Sequence, residues 1–363
     1  MTTQTHPAHS ASQADYNLAP VVVFWEVTKA CALACRHCRA LAQPKRNPLE
    51  LTTEEGVRLI DQVASFGNHA ILVVTGGDPL MRRDLFDFLN HGIEKGLRVS
   101  LSPSVTPLVT STKLRKAKEA GLSRLSFSLD GSSADIHDGF RQVQGVFDRT
   151  MECFRNAKEV GLETQVNTTI SKHNINDLER LAELIHELGS VLWDVFFLVP
   201  TGRGLRDDVI SPEEHERVYN WLYDFSKTSP FTLKTTLGQP FRRVTMQREA
   251  AEAASGAPPA MAHYQPGGTN DGKGICFISH TGDVCPSGFL PLVAGNIRET
   301  SIVETYRESS IFKELRDSSL LKGKCGCCPY NKVCGGCRAR AFAVTGDYLE
   351  AEPYCVYQPP PSR

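Results

Sequence analysis

The sequence has no apolar run approaching the roughly 20 residues a helix needs to cross a bilayer, so no membrane span and no membrane partner are expected. It also has no excess of either charge. Lys and Arg total 40 against 41 Asp and Glu, which removes the electrostatic case for nucleic acid or an anionic membrane surface. The first residues, Met1–Asn17, lack the apolar core of a secretion signal and are rich in Ser, Thr, Gln and His. Residues 1–19 are therefore expected as a flexible leader on a cytoplasmic protein. In a reducing cytosol the twelve cysteines are not expected to pair as disulfides.

What is there is an uneven distribution of those cysteines. Cys31, Cys35 and Cys38 form a Cys-x3-Cys-x2-Cys loop directly after an apolar run. Cys153 stands alone in a helical stretch, where a buried inert thiol is expected. The other eight fall between Cys276 and Cys355. Three thiolates are one fewer than a cubane iron–sulfur cluster takes, and an open coordination position is what separates a catalytic metal site from a structural one. Zinc is the alternative at this loop. Structural zinc prefers four ligands in two close pairs, and His37 as a fourth ligand would strain the loop between two others.

At 363 residues the chain is long enough for one large domain and a small one. Six apolar, β-branched runs recur: Val21–Val27, Ala70–Thr75, Leu97–Ser102, Arg124–Leu129, Glu163–Ile170 and Leu192–Val199. Helical periodicity lies between them, as in Leu85, Leu89 and Ile93. Helix starts are marked by Thr52 or Thr53 before Glu54-Glu55 and by Ser211-Pro212-Glu213-Glu214. Glycine follows several helices, at Gly96, Gly121, Gly161 and Gly189. Six strand–helix units imply a parallel sheet, either open and doubly wound or an incomplete barrel, with ligands at the strand C-terminal ends. Ala250–Gly274 is dense in Ala, Gly and Pro and is expected as a mobile loop or linker.

On these residues the chain resembles a radical SAM enzyme. The cysteine loop after the first strand is that superfamily's signature, with His37 as the aromatic-type residue before the last cysteine. Gly76-Gly77-Asp78-Pro79, at the end of the second strand, resembles the Gly-Gly-Glu-Pro motif, with Asp in place of the usual Glu. The resemblance implies a partial (β/α)6 TIM-like barrel over residues 20–230, a linker over 231–274, a cysteine-rich SPASM-type extension over 275–357 and a tail at 358–363. It implies that Cys31, Cys35 and Cys38 hold a [4Fe–4S] cluster whose open iron binds S-adenosylmethionine. Reductive cleavage of that cofactor then gives a 5′-deoxyadenosyl radical that abstracts hydrogen from a substrate. Gly76, Gly77, Asp78 and Pro79 are expected at the methionine amino group. Ser128 and Arg141 are expected at its carboxylate, since a guanidinium binds a carboxylate with two parallel hydrogen bonds. Ser102 or Ser104 is expected at the ribose, and Asn167 and Arg203 at cofactor or substrate.

The run Cys325-Gly-Cys-Cys328-x5-Cys334-Gly-Gly-Cys337, with Cys355 seventeen residues on, resembles the SPASM extension. That resemblance assigns Cys325, Cys328, Cys334 and Cys355 to one auxiliary [4Fe–4S] cluster and leaves Cys327 over. Zinc is the generic alternative. Arg338 and Arg340 would offset the cluster's negative charge. The upstream hairpin departs from the family, with Ser287 where a cysteine belongs. A two-residue turn at Thr281-Gly282 would set Cys276 against Ser287 and put Cys285 on the face of Cys276. Cys276, Cys285 and Cys337 would then hold a second auxiliary cluster with a non-cysteine fourth ligand, or be the remnants of a lost one.

The nearest resemblance, through Cys334-Gly-Gly-Cys-Arg-Ala-Arg-Ala341 and Thr345-Gly-Asp-Tyr348, is to haem-pathway radical SAM enzymes that alter porphyrin side chains and to mycofactocin-type peptide maturases. The expected function is an oxidative, decarboxylation-type modification of a tetrapyrrole side chain, with an external low-potential donor such as flavodoxin or ferredoxin. The alternative is maturation of a ribosomally made peptide, for which the short segment before strand one would require a separate carrier protein. A non-enzymatic iron–sulfur electron carrier is the remote alternative; a carrier gains from four protein ligands at its cluster. His137, His173, His215 and His263 fit no haem-ligand pattern and are expected at the surface.

Overall fold

The computed structural model describes residues 15–67, 70–256 and 268–360. In chain order the first part runs β1 (Val22–Glu26), α1 (Thr53–Ala64), β2 (Ile71–Thr75), α2 (Leu85–Glu94), β3 (Arg98–Leu101), α3 (Ser111–Glu119), β4 (Arg124–Ser128), α4 (Ala134–Arg141), α5 (Val146–Glu159), β5 (Thr164–Ile170), α6 (Leu178–Leu188), β6 (Leu192–Phe197), α7 (Pro212–Ser226), β7 (Thr232–Thr236) and α8 (Pro240–Ala254). The C-terminal part adds β8 (Ile275–Ile278), β9 (Asp283–Cys285), β10 (Gly295–Asn296), α9 (Ile302–Glu308), α10 (Ser310–Arg316), α11 (Gly323–Gly326) and α12 (Arg338–Thr345).

The strands form one sheet in the order β10-β9-β8-β1-β2-β3-β4-β5-β6-β7. It is parallel from β8 through β7 and antiparallel over β8-β9-β10. The fold is a partial, TIM-like α/β barrel carrying a C-terminal extension. Helix starts follow local chemistry. Thr52 and Glu55 close a capping box on α1, and Ser211 and Glu214 close another on α7, with Pro212 in the first turn.

Alternation separates an outward from an inward row on each strand, and from β3 to β5 the inward row is polar. The outward rows are apolar: Val23 and Trp25, Leu72 and Val74, Val99 and Leu101, Leu125 and Phe127 are buried in the main core. They pack on the helices, Trp25 on Phe88 at 4.8 Å and Phe127 on Phe154 at 5.2 Å between ring centres. Each covered Leu or Val contributes roughly 1.5–3 kcal/mol, so this layer alone can anchor the helices. The inward rows are therefore free to be polar. A second, smaller core of Val199, Leu237, Leu290, Leu315, Cys337 and Ala339 joins the extension to the barrel end.

Two expectations need correction. The 231–274 linker contains β7 and α8 up to Ala254; its residues 257–267 lie outside the described residues. β7, Thr-Leu-Lys-Thr-Thr, has a single core side chain, Leu233, and α8 buries Arg243 among its few covered residues, so neither carries a clear apolar pattern. The leader's residues 1–14 also lie outside the described residues. Its last part is tied down, with the Tyr16 carbonyl accepting from Tyr306 Oη at 2.8 Å and the Leu18 carbonyl from Arg307 Nε at 2.9 Å.

Candidate active site and metal centres

After β1 the chain crosses the strand tips as a loop whose path is set by its backbone. Gly77 N donates to Thr28 O at 2.7 Å, Asp78 N to Ala30 O at 2.7 Å, Cys31 N to Gln43 O at 2.8 Å and Arg36 N to Phe140 O at 3.1 Å. Gly77 is required by this closeness, because a Cβ there would lie 2.4 Å from Ala30 O. The Asp78 carboxylate turns away from the loop. It caps its own turn at Leu80 N, 3.1 Å, and accepts from Thr106 Oγ1 at 2.6 Å; burial pushes its carboxyl up. Pro79 opens the short helical turn that follows.

Each of the three loop sulfurs accepts a hydrogen bond, a contact that tunes the potential where a sulfur ligates a cluster. Leu33 N reaches Cys31 Sγ at 3.3 Å, Ala42 N reaches Cys38 Sγ at 3.5 Å and Arg141 Nη1 reaches Cys35 Sγ at 3.7 Å. Ser104 Oγ lies 3.4 Å from Cys31 Sγ and donates to Gly77 O at 2.6 Å, so it ties the cysteine loop to the glycine motif. Among the described residues no three Cys, His, Asp or Glu side chains gather tightly enough for a single metal ion.

Arg141, at the end of α4, is buried between Cys35 and Asp130, with which it forms an ion pair. Burial works against the guanidinium charge, and Asp130 and Cys35 outweigh it. Asp130 also accepts from Thr169 N at 2.8 Å. Sequence reasoning did not single out Asp130, although it stands in the same Ser128-Leu129-Asp130-Gly131 strand end. His37 lies flat on Phe140, 4.1 Å between ring centres, and burial pushes its pKa well below the usual value. Beside it, Arg203 carries two buried guanidinium nitrogens with no partner among the described residues.

The lumen is polar. Glu26 points inward at the end of β1 and is held by Arg39 Nη1 at 3.0 Å and His280 Nδ1 at 3.1 Å. Burial opposes the Glu26 charge, but His280 and Arg39 keep its pKa low. Arg39 lies over the rings of Phe277 and Phe289, and Phe289 reaches Phe196 on β6 at 6.3 Å. The extension thus roofs part of the barrel. Ser128 and Asn167 pair across β4 and β5, Asn167 Oδ1 accepting from Gln165 at 2.7 Å. Ser102 follows β3, its N bound to Val74 O at 2.9 Å. The histidines expected outside are partly core. His137 accepts from Asp130 N at 3.1 Å and His215 stacks on Phe197, and burial pulls both down to about 3. His173 pairs with Asp208 at 3.1 Å; His263 lies outside the described residues.

In the extension, Cys325, Cys328, Cys334 and Cys355 line one pocket, open to solvent, together with Gly335 and Gly336. Backbone N–H groups again serve the sulfurs, Glu352 N to Cys325 at 3.3 Å and Gly336 N to Cys334 at 3.4 Å. Gly336 has φ +65°, and a Cβ there would press on Cys325 Sγ at 3.3 Å. Arg338 reaches Cys325 Sγ at 3.8 Å. Arg340 instead pairs with buried Glu352 at 2.9 Å, so it does not offset charge at the sulfurs. Cys327 turns back toward the Gly323 and Lys324 carbonyls. The donor set and the cavity fit a four-thiolate cluster.

The trio Cys276, Cys285 and Cys337 differs from expectation. The turn between β8 and β9 holds three residues, His280–Gly282, because Ser279 N bonds Asp283 O and Gly282 N bonds Ser279 O. The register is therefore one step off, with Phe277 opposite Cys285. Cys276 stands in the row of Val23 and goes outward into the core, while Cys285 lies on the face of Phe277. Cys337 caps α12, its Sγ accepting from Arg340 N at 3.4 Å. These three do not face one site. Cys153 is buried on α5, and burial pushes its thiol up to about 12.

The Radical SAM superfamily model matches residues 25–185. The chain is 44% identical over 342 residues to the "AdoMet-dependent heme synthase" of Methanosarcina barkeri, covering 94% of this chain and 97% of that protein. It is 43% identical over 345 residues to the protein of the same name from Nitratidesulfovibrio vulgaris, covering 93% and 92%. Among solved structures, Streptococcus suis SuiB bound to its precursor peptide SuiA superposes with a TM-score of 0.70 at 15% identity, over 94% of this chain and 76% of that one. At that identity the likeness speaks for the fold.

Proposed function

The chain belongs to the radical SAM superfamily and is a radical SAM enzyme of oxidoreductase type, with S-adenosylmethionine and a [4Fe–4S] cluster as its cofactors; on that premise we propose that it oxidatively decarboxylates propionate-type side chains of an iron tetrapyrrole. The observation that carries this reading is 44% identity to a heme synthase over nearly the full length of both chains. Cys31, Cys35 and Cys38 would hold the first cluster; Cys325, Cys328, Cys334 and Cys355 would hold one auxiliary cluster. When loaded, the first centre with its cofactor supplies hydrogen-atom abstraction, and the second supplies an acceptor for the electron left when carbon dioxide departs.

The chain's own residues position and shield. Arg141 fixes the Cys35 side of the loop through Asp130, and its planar fork suits a cofactor carboxylate beside Ser128. The two unpartnered nitrogens of Arg203 favour an anion at the same mouth. Gly76 and Gly77 let backbone carbonyls approach the methionine amino group, and His37 stacked on Phe140 offers a flat wall. Ser102, Ser104 and Asn167 supply hydroxyl and amide groups to ribose or substrate. Arg39, Phe277 and Phe289 cover the lumen and keep water from a radical. No helix among the described residues is long and apolar enough to cross a membrane; we place the enzyme in the cytoplasm, served by a low-potential donor such as flavodoxin or ferredoxin.

The test is anaerobic reconstitution with iron and sulfide, then incubation with S-adenosylmethionine, reductant and an iron tetrapyrrole bearing propionates. The expected products are 5′-deoxyadenosine and a macrocycle lighter by carbon dioxide and two hydrogens per converted side chain. Deoxyadenosine without any change to the macrocycle overturns the substrate assignment and turns attention to peptides.

A further inference from the structure

Strand register aligns four side chains in one row across the lumen. Ser128 on β4 pairs with Asn167 on β5, Asn167 with Asp194 on β6, and Asp194 with Lys234 on β7. Their neighbours fix the direction. Trp193 packs outward against Phe225 and Phe231, and Leu233 is buried in the core, so with a period of two Asp194 and Lys234 point inward.

Asp194 is buried and accepts twice, from Lys234 Nζ at 2.6 Å and from Thr236 Oγ1 at 2.8 Å. The Lys234 side chain is 34% exposed. An ammonium has three donors, and Asp194 takes one. A carboxylate buried in this way, itself pinned by a threonine, holds the flexible lysine stem in one direction, so a ligand does not have to order it. Two further carboxylates at the lumen are already matched, Glu26 by Arg39 and His280 and Asp130 by Arg141, so they do not compete for Lys234.

We propose that Lys234, aimed by Asp194 and Thr236, is the subsite for a carboxylate side chain of the substrate. The inference rests on the tetrapyrrole reading and adds a point of attachment to it. It also sorts two anions along one row: the cofactor carboxylate at the Ser128 end near Arg141, and a substrate propionate at the β7 end.

The experiment is an anaerobic equilibrium titration of the cluster-loaded protein, followed by macrocycle absorbance. The two probes are iron coproporphyrin, which carries carboxylates, and iron octaethylporphyrin, which has the same macrocycle without them. Lys234→Met is expected to weaken coproporphyrin binding about tenfold, the worth of one charge-assisted hydrogen bond, and to leave octaethylporphyrin unchanged. Lys234→Arg, which keeps the charge, is expected to retain most of the affinity. Equal iron content in all variants controls for folding. No loss for coproporphyrin, or equal loss for both probes, overturns the subsite and leaves the tetrapyrrole reading standing. A wild-type protein that binds neither probe overturns that reading, and the subsite with it.

Discussion

The two cysteine-rich regions present the same ligand chemistry in opposite settings. The N-terminal loop offers three sulfurs, each with its own donor, at the mouth of a polar lumen. The C-terminal pocket offers four sulfurs around one cavity, wrapped by a two-glycine turn. On the proposed function, the count of sulfurs separates the two roles. Three sulfurs leave a position for a ligand that reacts, whereas four close the site and leave it to hold charge or pass electrons. The surroundings agree with the count, since Arg203 with two unpartnered nitrogens stands beside the first site, while Arg338 at the second is spent on a sulfur and on backbone carbonyls.

That contrast can be broken by mutation, most severely at the first site. Cys35→Ala is expected to bring 5′-deoxyadenosine formation down to that of iron-free protein, measured chromatographically under dithionite. Cys334→Ala should lose about four irons per chain and stop turnover, yet keep part of the uncoupled deoxyadenosine formation. Equal loss of cleavage in both variants, with both still folded, would erase the division of labour. Arg141→Lys is the next step down. A lysine cannot hold Asp130 and the Cys35 sulfur together as the planar fork does, so the loop is less well placed and S-adenosylmethionine binding should weaken about tenfold by calorimetry. Cys276→Ala sharpens the comparison from the other side, because iron content should not change; a loss of iron would restore a second auxiliary cluster.

A separate effect, on stability rather than activity, concerns pH. His215 is held neutral by burial, with its pKa pulled from 6.5 to about 3. Below about 6.5 the unfolded chain takes up a proton that the folded chain refuses, so stability is intact above that pH and falls as pH drops toward 3, by up to about 1.4 kcal/mol per unit. His215→Phe should flatten the fall of the thermal midpoint between pH 6.5 and 5; a slope identical to wild type would contradict a buried neutral ring.

Much of this was legible in the chain. Six strands followed apolar runs, and the capping boxes at Thr52 and Ser211 and the thiol spacings stood in plain view. β7 was not legible because its inward face is Lys and Thr and its outward face has one leucine. The Cys276–Cys285 pairing failed on one backbone detail, a three-residue turn where two were counted, and a one-residue slip moves every side chain to the other face. Asp194 and Lys234 carried one available signal, charged residues inside strand periods, which points inward only once the core side of the strand is known.

The sequence by itself determined which residues can bind metal, how many sulfurs each region supplies and where strands and helices start, because those follow from residue type and short spacing. Tertiary structure alone decided that Arg141 meets Cys35 and Asp130, that Arg39 and His280 share Glu26, and that Asp194 aims Lys234 into the lumen. These partners lie tens to hundreds of residues apart, and only strand order and register bring them within hydrogen-bond reach.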